Sequence, residues 1–319
     1  MTTSEVTARA IAFVAEHKPA AEALGASLAD LTPDPDAFAA VLRHGLASLA
    51  DPEYLSGAQR VAPGLDLIHG VRWPLLDAIS RGFRQATRSD PATTLLFVAE
   101  RLLREPELES RWFAFHILER TMATDTERTW QLLRRAARGS GDWITVDSLA
   151  HPYGMGIAAE PYRWAELEQL VYSSSRWERR LVGATIATLT HADRRGGRDP
   201  EVAHRALPLL GQLMGDAEPD VQKALSWAYR SLAAVDMPAT ITALQAETER
   251  AASAGDGHRA WVIRDSLAKL DPAIAERLRD RLSGIRKYPG DPSTSDASLA
   301  ASRFGGLPDP TIHPNPPLA

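Results

Sequence analysis

An all-α fold of stacked helix pairs, an α-solenoid, is what this sequence predicts, and three observations predict it. More than ten segments of 10–17 residues carry apolar side chains at three- and four-residue intervals, the period of an amphipathic helix. Short turns marked by Pro and Gly separate them, and strand-like alternation hardly exceeds four residues anywhere. The composition, 44% hydrophobic and 24% charged over 319 residues, is that of an ordinary globular protein. Short connections between many helices favour antiparallel neighbours stacked in repeats. Tetratricopeptide and ankyrin signatures are missing, which leaves degenerate HEAT-like repeats as the nearest match.

In chain order, residues 4–29 read as one or two Ala-rich helices with Val6, Ile11, Phe13 and Val14 on the apolar side and a break at Gly25. Leu31 to Asp36, with Pro33 and Pro35, reads as a turn ending in an N-cap. Helical patterns then cover about 36–50, 73–88, 91–104, 108–122, 125–138, 143–150, 161–171, 176–190, 200–214, 218–234, 237–253, 257–269 and 271–284. Breaks fall at Pro52, Pro63-Gly64, Pro74, Pro91, Pro106, Gly139, Pro152 to Gly156, Gly196-Gly197, Pro219 and Gly255 to Gly257. Three regions follow: a helical extension over 1–36, a repeat domain over 37–284, and a tail over 285–319 expected to be disordered. Seven prolines between Pro289 and Pro317 mark that tail.

Several chemistries are excluded early. The absence of cysteine rules out disulfides, thiolate metal sites and cysteine nucleophiles. No apolar run reaches the roughly 18 residues of a membrane helix, and the N-terminus has no basic region, so a cytoplasmic protein without membrane contact is expected. No Gly-rich phosphate loop follows a strand, no Gly-x-Ser-x-Gly elbow occurs, and the nine histidines lack metal-ligand spacing. The expectation is therefore no metal and no cofactor. A net charge of −5 argues at face value against a nucleic-acid partner. That acidity is concentrated in residues 1–71, with 4 basic and 9 acidic side chains, whereas residues 72–230 hold 22 and 21. The middle of the chain can thus carry a basic face. Arg outnumbers Lys by 32 to 4, which suits phosphate contacts but reads first as an effect of nucleotide composition.

Chemistry-bearing residues gather at four positions. In Asp142-Trp143-Ile144-Thr145-Val146-Asp147-Ser148, Trp143 and Asp147 are four residues apart and share a helix face. Arg180 lies in Ser175-Arg176-Trp177-Glu178-Arg179-Arg180, and Trp227 in Val221-Gln222-Lys223-Ala224-Leu225-Ser226-Trp227-Ala228-Tyr229-Arg230. The intervals of 33 and 47 residues are about one helical repeat each. Taken singly, each has a plainer reading: packing indoles, a solvated or capping acid, a surface ion-pair arginine. Arg176 and Arg179 are candidate phosphate contacts or a solvated face, as are Arg134, Arg135 and Arg138. Trp73, Trp112, Trp130, Trp164, Trp177 and Trp261 read as packing residues.

Together, Trp143-x-x-x-Asp147-Ser148, Trp177-x-x-Arg180 and Val221-Gln222-Lys223-Ala224-x-x-Trp227-x-x-Arg230 resemble the AlkD-like family of DNA alkylation repair enzymes, which are HEAT-like repeat DNA glycosylases. Gly70-Val71-x-x-Pro74 resembles its N-terminal part, and the similarity spans about residues 37 to 265. The resemblance implies a concave face holding double-stranded DNA with alkylated purines, and excision of cationic N3- and N7-alkylated purines in base excision repair. It places Trp143 and Trp227 beside the lesion, Asp147 at the deoxyribose as the catalytic carboxylate, and Arg180 on a phosphate. The chemistry suits those roles. An ionised carboxylate stabilises oxocarbenium character at the sugar carbon, and indole faces attract cations by about 0.5–2 kcal/mol. A monomer in the cytoplasm, associated with the nucleoid, is expected. The chain departs from the family in its N-terminal extension, its longer tail and its overall acidity. The alternatives are a non-catalytic repeat protein that binds damaged or branched DNA, and a protein-interaction solenoid.

Overall fold

The computed structural model describes residues 3–61 and 67–303, which form sixteen α-helices and no strand. They are α1 (Thr3–Ser27), α2 (Pro35–Ser48), α3 (Pro52–Val61), α4 (Trp73–Ala86), α5 (Ala92–Leu102), α6 (Leu108–Thr121), α7 (Thr126–Gly139) and α8 (Trp143–Ala159). The second half adds α9 (Trp164–Leu170), α10 (Arg176–Ala192), α11 (Pro200–Leu213), α12 (Pro219–Leu232), α13 (Met237–Ala254), α14 (Gly257–Ser266), α15 (Pro272–Arg281) and α16 (Asp296–Arg303). No helix among the described residues is long and apolar enough to cross a membrane.

Many helix starts share one local device. Asp34, Asp199 and Asp271 are N-caps followed by Pro at the first helical position, and each carboxylate accepts a backbone N–H from the first turn at 2.9–3.0 Å. Proline costs nothing there because its missing N–H would have no helical partner. Such a cap contributes about 1 kcal/mol.

The chain packs as two compact units, 1–133 and 134–319, with the boundary inside α7. In the first, α1 lies directly on α4. A Cβ at Gly25 would fall 2.0 Å from the Ile79 carbonyl oxygen, and one at Gly82 only 2.2 Å from that of Glu22. Gly25 therefore does not break the helix, as its sequence signal implies. It allows backbone contact between an uninterrupted α1 and α4. Phe38, Phe83 and Phe113 from α2, α4 and α6 meet edge-on or tilted at centroid distances of 5.4–6.0 Å in the core.

In the second unit, α8, α10, α12 and α14 pack side by side, with α11 and α13 in a second layer behind them. The four run in one direction, since Asp147 meets Arg180 and Gly154 meets Leu189, Arg180 meets Asp220 and Gly183 meets Ala224, and Gln222 meets His258 and Ser226 meets Asp265. Central α10 is buried continuously from Leu181 to Thr190, as a helix covered on several sides must be. Its closest neighbour is α12, where a Cβ at Gly183 would fall 2.8 Å from the Ala224 carbonyl carbon.

Three further sequence expectations differ from the structure. Residues 52–61, read as an interruption, form α3, started by the Asp51 carboxylate on the Glu53 N–H at 2.9 Å. The break expected at Pro152 to Gly156 is absent, and α8 continues to Ala159. Proline there removes one helical hydrogen bond, but Leu149, Tyr153 and Ile157 are buried and hold the turn in place. The tail expected to be disordered from residue 285 is packed as far as Arg303: Ser295 is fully buried, Thr294 N–H donates to Gly215 O at 2.9 Å, and Arg250 grips both Asp296 oxygens at 2.8–2.9 Å. The rest of that expectation, residues 304–319, lies outside the described residues.

Candidate functional site

Asp142 begins the site by beginning a helix. Its carboxylate accepts the Thr145 N–H at 2.7 Å and the Thr145 hydroxyl at 2.6 Å, so α8 starts at Trp143. Trp143 and Asp147 are then the first and fifth residues of α8, on one face, both half-buried.

Arg180, fifth residue of neighbouring α10, completes the cluster. Its Nε donates to Asp147 Oδ1 at 3.0 Å and its Nη2 to Oδ2 at 2.7 Å, a two-point grip that only a planar guanidinium provides. Nη1 donates to the Asp220 carbonyl at 2.6 Å, in the first turn of α12. The guanidinium carbon lies 5.9 Å from the centre of the Trp143 ring. Its side chain is only 6% exposed, so it is a fixed part of the structure rather than a surface arginine. One N–H on each of Nη1 and Nη2 remains beyond these bonds.

Burial raises the Asp147 carboxyl above its ordinary value. The hydrogen bonds and charge of Arg180 act against that rise, while Asp142 and Asp220 add to it. The two-point guanidinium contact favours the ionised form.

The other expected residues are placed differently. Arg179, expected at a phosphate, is committed to the protein: Nε to Asp216 at 2.7 Å and Nη1 to the Ser173 and Ser174 carbonyls at 2.8 and 3.0 Å. It ties the turn before α10 to the turn before α12. Arg176 is exposed, with its guanidinium 4.6 Å from the Trp177 ring centre and 3.4 Å from Glu218. Trp227 lies outside the Asp147 cluster. It is half-buried, two turns beyond Asp220 on α12 and about 10 Å along the axis from it at 1.5 Å per residue.

Sequence reasoning passed over four participants. Asp142 is the cap that sets the α8 face, and Asp-x-x-Thr before an apolar run is a readable N-cap signal. Asp220 contributes only a backbone carbonyl, for which residue type carries no signal. Asp216 and Gln222 are buried partners that hold α12 in place, Gln222 donating to the Asp216 carbonyl at 2.6 Å.

A register relation unites the cluster. Counted from each helix start, Asp147, Arg180, Lys223 and Trp261 are all the fifth residue, of α8, α10, α12 and α14 respectively. The four helices point the same way, so their first turns form one continuous row. Aligned helices present partial positive charge at their N-termini, a field that favours an anion.

A family model described as DNA alkylation repair enzyme matches residues 42–270. The search of curated proteins returned no match.

Proposed function

The chain belongs to the DNA alkylation repair enzyme family, and within that family we propose that it is a DNA glycosylase. Its substrates are cationic N3- and N7-alkylated purines in duplex DNA, and its reaction is hydrolysis of the N-glycosidic bond. The observation that carries this reading is the Asp147 carboxylate, held by a buried guanidinium beside a half-exposed indole.

Alkylation gives the purine a positive charge, so the base departs with the bonding electron pair as a neutral molecule. Positive charge then develops at the deoxyribose C1′. An ionised carboxylate fixed near that carbon stabilises it without reorganising, an effect on the order of 3–4 kcal/mol for one positioned group. Water supplies hydroxide to C1′ and releases its proton to Asp147 or to solvent. Arg180 acts first as the positioning residue for Asp147, and its remaining N–H groups suit a phosphate oxygen. The faces of Trp143 and Trp227 suit a cationic base, a discrimination against neutral purine of about 0.5–2 kcal/mol each. Arg176 is the exposed cation available to a neighbouring phosphate.

One observation favours a second reading, a binder of damaged DNA without catalysis: Arg180 engages both Asp147 oxygens and so partly neutralises the acid. A single assay separates the two. Duplex DNA carrying N7- or N3-methylpurine is incubated with the protein or with Asp147→Asn, and abasic sites are then cleaved with alkali. The glycosylase reading expects strand breaks that fall at least a hundredfold in the variant, the order of loss for removing one preorganised electrostatic group. Binding without breaks in the unmodified protein would establish the second reading.

A further inference from the structure

The row of fifth residues does not end at Trp261. The segment after α15, which lies beyond the matched region 42–270, returns to the first turns of α12 and α14 and sets Lys287 upon them. Its ammonium lies 4.2 Å from the centre of the Trp261 ring and donates to Gln222 Oε1 at 2.6 Å. Gln222 is fully buried and is itself fixed, its amide nitrogen 2.6 Å from the Asp216 carbonyl and 3.1 Å from His258 Nδ1. His258 Nε2 in turn lies 3.1 Å from the Asp291 carbonyl, in the same returning segment. The segment is further tied down where Thr294 bonds Gly215 and Asp256, and where Asp296 pairs with Arg250. Lys287 is thus a built-in cation held on an indole and a buried amide.

Among the described residues, none of the hydrogen-bonded acids around it is bonded to the Lys287 ammonium. Burial, and secondarily the charge of Lys223, holds the Lys287 ammonium below its usual range, and Lys223, exposed on α12 next to Gln222, also acts on Asp265. The acids nearby serve other groups: Asp265 binds Ser226 and Arg230, Asp291 accepts the Tyr288 N–H, and Asp296 serves Arg250. Lys287 is one of only four lysines, in a protein whose cations are otherwise almost all arginine. An ammonium with one donor on an amide and one side against a ring retains a donor for a further acceptor.

We propose that Lys287 forms a second phosphate-binding station for the DNA strand, delivered by the C-terminal segment one helix pair along the row from Arg180. Helices in contact are about 8–10 Å apart, which places the station roughly 10–20 Å from Arg180. That is a few nucleotides along a strand rising about 3.4 Å per residue. The inference rests on the DNA reading above, and its test separates the two.

Binding of the full-length protein to an undamaged duplex is followed by fluorescence anisotropy across a salt series, for the unmodified chain and for Lys287→Met, Lys287→Arg and Lys269→Ala. The methionine keeps an apolar stem on Trp261 and removes only the charge, and urea unfolding of each variant confirms that the segment stays packed. Lys269→Ala removes the same charge elsewhere in the second unit. The expected result is about three- to tenfold weaker binding for Lys287→Met at low salt. The slope of log affinity against log salt should also fall by about 1, with Lys287→Arg restoring both and Lys269→Ala changing neither. An unchanged slope, or tighter binding, in Lys287→Met overturns the station while leaving the DNA reading intact. Failure of the unmodified protein to bind duplex at any salt overturns the DNA reading, and the station with it.

Discussion

Arg180 shows how one side chain reaches beyond the role its sequence context implies. Its helix position and spacing mark it for a phosphate, yet its donors hold Asp147 and the Asp220 carbonyl. Two consequences follow. Breaking a buried pair costs about 3–5 kcal/mol, and Asp147 is 23% exposed, so Arg180→Met should fall near 3 kcal/mol in urea denaturation. The second concerns pH. Burial already raises the Asp147 carboxyl, and Arg180 opposes that rise. In the proposed glycosylase reaction only the ionised form stabilises C1′, so the excision rate should drop as pH falls through the raised value. Arg180→Lys loses the two-point contact, and the acid limb of its rate–pH profile should move to higher pH. A limb that stays in place or moves lower would show that Asp147 is not the titrating group. Stability runs the opposite way: a carboxyl raised by folding contributes stability below its unfolded value and loses it as pH rises through the folded one.

Among the helices, α10 and α12 matter most because the site is read across them. Their contact depends on Gly183, where a Cβ would meet the Ala224 backbone at 2.8–3.0 Å. The neighbour is main chain, so the helices must separate to admit a methyl group. Gly183→Ala should cost about 1–3 kcal/mol by overpacking. It should also weaken excision more than the stability loss explains, since Arg180 bonds the Asp220 carbonyl across that contact. Thermal unfolding and single-turnover excision measured on one preparation check both, and an unchanged excision rate would show that the site does not depend on this spacing.

Helix existence was legible at this scale from the 3.6-residue period, and α4, α6, α12 and α13 begin within a residue or so of the expected positions. What escaped was decided by packing. Pro152 reads as a stop but sits among buried Leu149, Tyr153 and Ile157, and Gly25 reads as a break but is a contact point. Asp147, Arg180 and Trp143 were recoverable from their spacing, and the structure brings them together. The bonds that commit Arg179 to Asp216 were not, because nothing local distinguishes a phosphate-seeking arginine from one that staples two turns.

Across the whole chain, net charge conceals the local field. The 1–71 segment accounts for the entire −5, and the remaining residues are balanced at 32 of each sign. Within that balance the first turns of α8, α10, α12 and α14 align their positive ends. Acidity of the chain is therefore no measure of the surface that would meet DNA.

The shared fifth position carries one more consequence. Along the chain, Asp147, Arg180, Lys223 and Trp261 are separated by 33, 43 and 38 residues, a sequence with no common interval. Each side chain behaves as an address counted from the start of its own helix, so the loops are free to differ in length while the addresses stay aligned. Such a surface tolerates growth between helices and is intolerant of a slip within one. A glycine inserted between Arg194 and Arg195, in the exposed turn after α10, should leave excision close to its original rate. An alanine inserted between Leu181 and Val182 turns Arg180 by about 100° relative to the buried residues that follow, and should abolish excision while circular dichroism still reports a helical protein. Equal losses from the two insertions would mean that the row is held by chain spacing and not by helix register.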